Sequence, residues 1–274
     1  MAVTDSPREL WLADLRTTVG MWRTAPALPL VGLVVAVFTF APQFVVPRPS
    51  GCGLGTHPAC TSGSQPMFIL LTLIGLPVSV FAVGLFGAER WWYATLASGD
   101  TPRAGDLWRV SWSYFWRFVR LGLLVTVLSL PVVLPILLAG RHSTGTRSIA
   151  LAAYVFVLDI ALTFVTPAMA LSTDSAWQAL KQGTVALDRR WPRDALYAVV
   201  PPMALTIVAR VAPTVFGSRV VTALAGVAAQ LLTMLFAGAV TLFYIREVDP
   251  QAVTRLHELP YRGRQALSAA GPGE

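Results

Sequence analysis

The chain has 274 residues, 55% of them hydrophobic and only 13% charged, against about 25% charged in an ordinary soluble domain. With a mean hydropathy of +0.61, this excludes a disordered chain, a coiled coil and an ordinary cytosolic enzyme, and predicts an all-α polytopic membrane protein. The net charge of +7 reads as a topology signal beside anionic lipid rather than as a nucleic-acid footprint.

A bilayer core about 30 Å thick needs about 20 apolar residues in a helix. Ahead of the first such stretch, Ser6-Pro7-Arg8-Glu9 has the pattern of a capping box with proline at the first helical position. It predicts an interfacial helix anchored by Trp11 and Trp22. The first apolar window, Ala27–Val46, is too long for the apolar part of a cleaved signal peptide. The following loop, rich in Gly, Pro and Ser, holds the two cysteines of the chain, Cys52 and Cys60. A disulfide there suits an oxidising exterior. The alternatives are two unpaired thiols, or a metal site that adds His57 and lacks a fourth protein ligand.

The second window is Pro66–Ala88, followed by the aromatic cluster Trp91-Trp92-Tyr93. In 104–120, Asp106, Arg109, Ser113, Arg117 and Arg120 recur at helical spacing as one polar stripe, with Trp108, Trp112, Phe115 and Trp116 filling the remainder. This pattern predicts a helix at the lipid–water boundary that turns into a third window, Phe118–Ala139. The fourth window is Ile149–Leu171. A third interfacial helix over 172–190 carries Trp177, Leu180, Thr184 and Leu187 at helical spacing. Ala195–Phe216 and Val220–Ile245 are the fifth and sixth windows, and Ala223, Ala225, Gly226, Ala228 and Ala229 make the last a close-packing helix. Residues 1–250 are therefore expected to form one domain of six transmembrane helices in three hairpins, and 251–274 a tail.

Charge sets the orientation. The N-terminal segment, the second and fourth connections and the C-terminal tail together hold sixteen of the 21 basic residues. The opposite side holds Arg48, Arg141, Arg147 and Arg219, while Arg210 falls inside a span. The positive-inside rule places both termini in the cytoplasm of a multi-pass inner-membrane protein.

The tryptophan-bearing helices before alternate spans, the Arg190-Trp191 approach to span five and the exit Phe243-Tyr244-Ile245-Arg246 resemble a loose group of bacterial six-span membrane proteins. That group includes the membrane domain found beside glycerophosphodiester phosphodiesterases. The resemblance implies membrane placement. The chain lacks the soluble phosphodiesterase domain, so no hydrolase activity follows from it.

Two intramembrane charges stand out. Asp159 lies in the middle of span four and Arg210 in span five, at similar depth. They are read as a buried ion pair, as a site for substrate or proton movement, or with Arg210 reaching the external head groups. Pro77, Pro131, Pro135, Pro167, Pro201, Pro202 and Pro213 interrupt spans; such kinks are either static or expose carbonyls to a site. No nucleotide-binding loop, HExxH or GxSxG motif is present, and no cofactor is expected.

The sequence therefore favours a non-catalytic membrane component, a scaffold or accessory subunit of a transport system. The alternatives are a self-contained transporter of a hydrophobic or amphiphilic small molecule, and a membrane enzyme acting on lipid or isoprenoid substrates. Expected partners are membrane lipids, including anionic head groups met by Trp108, Arg109, Trp112, Arg117, Arg120 and Trp177, and a membrane protein or energy-coupling subunit.

Overall fold

The computed structural model describes residues 6–40, 65–139, 144–189, 194–211 and 219–256; the side chain of Arg210 is outside that description. The described part is all-α. Helix α1 (Pro7–Thr24) starts as its sequence predicts: the Ser6 hydroxyl accepts the Glu9 N–H at 3.3 Å while the Glu9 carboxylate accepts the Ser6 N–H at 3.0 Å. A bend of 90° leads into α2 (Ala27–Phe40).

Helix α3 runs unbroken over Gln65–Ala97, so Trp91, Trp92 and Tyr93 belong to the helix and not to a loop. It stops at Gly99, whose φ of 90° suits a residue without Cβ. There the Asp100 N–H reaches the Thr95 carbonyl and the Gly99 N–H reaches the Leu96 carbonyl, a Schellman ending. The return helix α4 (Ala104–Ala139) opens with the Asp106 carboxylate accepting the Arg103 N–H at 2.9 Å. α3 and α4 make the most extensive helix pair. A Cβ added at Gly84 would collide with the Ser111 backbone, and one at Gly87 with Tyr114 and Phe118, so the two axes approach closely because glycines line the seam.

Helix α5 (Thr144–Leu162) and the short helix α6 (Val165–Pro167), prolonged by a π turn over Ala168–Ser172, are bent by 48°. The cause is local. Pro167 has no N–H for the Thr163 carbonyl and its ring crowds that oxygen; the Thr166 hydroxyl donates to it instead, at 3.3 Å. Helix α7 (Ala176–Arg189) buries Ala179, Gly183 and Ala186, and Gly183 lies directly against the backbone of Val165. Helix α8 (Ala195–Thr206) ends in a π turn, Ile207–Val211. Helix α9 (Arg219–Phe243), continued by a π turn over Tyr244–Val248 and a 3-10 turn over Pro250–Arg255, packs against α1, α2, α3 and α8.

Six regular spans in three hairpins are not what forms. Among the described residues only Ala104–Leu138 and Val220–Val248 are long and apolar enough to cross a membrane, or four elements if each bent pair counts as one. α2 has 14 residues, roughly 21 Å at 1.5 Å per residue. The fourth window breaks at Thr163–Phe164, and the fifth becomes a 12-residue helix holding Pro201 and Pro202. The second interfacial helix and span three run together as one 36-residue helix. The expected Cys52–Cys60 bridge is also withdrawn: no disulfide forms among the described residues, and both cysteines, like His57, lie outside them.

The core gathers where the end of α3, the start of α4 and the end of α9 meet α1, α7 and α8. Its largest fully buried side chains include Trp92, Tyr93, Tyr114, Tyr197 and Tyr244. Each tyrosine hydroxyl is tied across elements. Trp22 Nε1 donates to Tyr93 Oη at 2.7 Å, and Tyr93 donates to the Met234 carbonyl at 3.0 Å. Tyr114 donates to the Ala170 carbonyl at 2.7 Å. Ser172 bonds to Tyr244 Oη at 2.8 Å and donates to Asp249 at 2.6 Å. Tyr197 donates to the buried Asp14 carboxylate, which also takes two bonds from Arg246 at 2.8 and 3.1 Å. Asp14 thereby joins α1, α8 and α9.

Candidate functional site

Beside this core lies a cleft of about 410 Å³, lined from α3, α4, α5, α6, α8 and α9. Its walls are mostly apolar: Phe86, Phe118, Leu121, Val125, Leu162, Leu205, Phe236 and Val240. Phe236 also stacks on Trp11, with ring centroids 5.9 Å apart, so one wall of the cleft is shared with the core. The polar groups in the lining are Arg90, Asp159, Thr163, Thr166 and Thr233.

Two of the irregular stretches of the described backbone border this cleft. Thr163 and Thr166 flank the break that Pro167 imposes between α5 and α6. Thr163 Oγ1 bonds back to the Asp159 carbonyl at 2.9 Å, which fixes the last turn before the break. Pro201 and Pro202 form part of the opposite wall, and their missing N–H groups remove the helical donors of the Tyr197 and Ala198 carbonyls.

Arg90 is the most constrained polar group of the cleft. Its side chain is 9% exposed. Nη1 bonds both to the Phe86 carbonyl, one turn back, and to the carboxylate of Glu89, its neighbour in the chain. Nε has no hydrogen-bond partner among the described residues. Charge counting along the sequence places Arg90 with the solvated connection after span two. It is instead interior, because α3 continues for another two turns beyond Ala88. The absence of Gly and Pro between Ala88 and Ala97 is the sequence signal for that continuation.

The other anticipated residues are dispersed. Asp159 is exposed at the cleft. Arg210 sits in the π turn after α8, and whether the two charges meet depends on a side chain outside the described residues. Trp108, Trp112 and Trp177 are more than half exposed, and Arg109 and Arg120 are exposed as well. Arg117 is 4% exposed and lies over the Tyr114 ring at 5.3 Å. The inner face of α4 is therefore Leu107, Val110, Tyr114, Arg117, Phe118 and Leu121, and its outer face carries the tryptophans. Among the described residues, no three His, Cys, Asp or Glu side chains gather as a metal site would need.

No family model, curated protein or solved structure matches the chain. The resemblance to the six-span domain that accompanies phosphodiesterases is corrected accordingly: no family match supports it, and among the described residues the helices do not form six spans.

Proposed function

We propose that the chain is an integral membrane protein that holds a hydrophobic or amphiphilic small molecule in the cleft beside its core. The cleft carries this reading. At about 410 Å³ it falls within the range of small-molecule sites, about 300–1,000 Å³, and has their usual make-up of apolar walls with a few polar groups. Membrane placement is supported by the far half of α4. Leu123, Val127, Leu128, Leu134 and Leu138 are all exposed there, an apolar surface that water would not tolerate and acyl chains would cover. The binding role is non-catalytic and belongs to transport, either in the chain itself or with a separate energy-coupling subunit. Anionic head groups meet Arg109 and Arg120 beside the exposed tryptophans.

Gly122 lines the cleft, and nothing lies within 4 Å of a Cβ added there. Gly122→Phe therefore obstructs the cleft without displacing the core. Native mass spectrometry of protein released from membranes in gentle detergent should show an apolar small molecule retained by the parent and lost from Gly122→Phe. Equal retention by both would reject the cleft as the binding site.

A further inference from the structure

Resting on the reading of the cleft as a binding site, we infer that the Nε edge of Arg90 anchors an anionic head group, so that the bound molecule is an amphiphile carrying a carboxylate or phosphate. The guanidinium has five donors in a rigid planar fork, and its Nε–Nη2 edge is the edge that matches two oxygens of one anion. Both hydrogen bonds of Arg90 are made by Nη1, to Phe86 and Glu89. These two contacts hold the plane in place and take up neither Nε nor Nη2. Nε is buried, belongs to a residue lining the cleft, and has no acceptor among the described residues. A buried donor left without an acceptor is costly, and an oxygen ligand in the cleft would remove that cost. Phe118, Leu121, Val125 and Leu205 supply the walls for an aliphatic tail. A neutral alcohol offers one weak acceptor where a carboxylate or phosphate offers two charged oxygens, and an amine offers none once protonated. The site should therefore rank single-chain amphiphiles by head group and tolerate variation in the tail.

The test uses the full chain in nanodiscs, with equilibrium binding of labelled oleate, oleyl alcohol, oleylamine and lysophosphatidic acid. Oleate and lysophosphatidic acid should each bind about tenfold or more tightly than oleyl alcohol, as one charge-assisted bidentate contact allows. Arg90→Gln should erase that preference and leave oleyl alcohol binding within about threefold of the parent. Because Arg90→Gln alone strands the Glu89 carboxylate, the double variant Glu89→Gln/Arg90→Gln provides the same readout with the pair removed together. Equal binding of acid and alcohol by the parent, or a preference that survives in both variants, would overturn the anion anchor. If Gly122→Phe still removed the binding in that case, the cleft reading would stand. If none of the four probes bound, or if Gly122→Phe bound them unchanged, the cleft reading and the anchor would fall together.

Discussion

Two regions of this molecule use similar apolar content to opposite ends. In the core at the end of α3 and the start of α4, aromatic rings are buried and the tyrosine hydroxyls are tied across helices; Tyr93 and Tyr114 are 0% exposed. Along the far half of α4, aliphatic side chains stand outward, with Leu123 62% and Val127 60% exposed. One helix, α4, belongs to both. Its first half is sorted into an inner face and an outer face by protein neighbours, and its second half has few neighbours to sort it. The difference teaches that apolar content alone does not define a span. An apolar residue is equally at home against protein or lipid, and what separates the two surroundings is whether polar tips find partners across elements.

The largest expected effect breaks the core side of this comparison. Asp14 is 4% exposed and serves both Tyr197 and Arg246, so Asp14→Ala strands two donors at once. Arg246 is partly exposed and can turn to solvent, which moderates the loss; we expect about 2–3 kcal/mol, read as a lowered midpoint in denaturant unfolding in detergent. A change indistinguishable from zero would mean that Asp14 does not fasten α1 to α8 and α9.

A smaller effect compares the tight and open sides of the α3–α4 pair. Gly84→Ala drives a methyl group into the Ser111 backbone and should cost about 1–3 kcal/mol. Gly122→Ala meets nothing and should gain about 0.5–1 kcal/mol from helix propensity alone. Opposite signs in parallel thermal melts would sharpen the contrast. The same sign for both would contradict the close approach of α3 and α4 described at Gly84.

The smallest effect is at the start of α1. The Ser6 backbone N–H, and then the Ser6 side chain, hold the Glu9 carboxyl below its ordinary value of 4.5. Because the folded-state value is depressed, its contribution is complete above the unfolded value and is lost as pH falls through the folded one. Helicity followed by circular dichroism between neutral pH and pH 3 should show a slight acid loss that Glu9→Gln removes. An identical acid profile in the variant would place that loss elsewhere.

These contrasts also explain which features could be read from sequence. The capping box at Ser6–Glu9 was legible because every group it needs lies within four residues. The course of α9 was legible because its apolar run is long and free of proline. The number of spans was not, since hydropathy windows do not register that Pro167 takes a donor from Thr163 or that α3 continues past Ala88. The inner face of α4 was misjudged for a related reason. A charged stripe suggests water, yet Arg117 is buried over the ring of Tyr114, one turn back on the same helix. Asp159 was singled out as a lone acid in an apolar run, and the cleft does include it. Arg90 carries no such signal, because an arginine beside a glutamate and two tryptophans has the composition of an interface; the tertiary arrangement brings it into the lining of the cleft.

The most direct test of the central claim, that the far half of α4 faces lipid while its first half packs on protein, is a spin-label accessibility scan. With Cys52 and Cys60 replaced by serine, single nitroxide labels at Leu107, Leu123, Val127, Leu134 and Leu138 in liposomes would be measured against oxygen and a water-soluble nickel complex. Labels at 123, 127, 134 and 138 should be accessible to oxygen and shielded from nickel, and the label at 107 should be shielded from both. Strong nickel access at 123, 127 and 134 in folded protein would contradict the account.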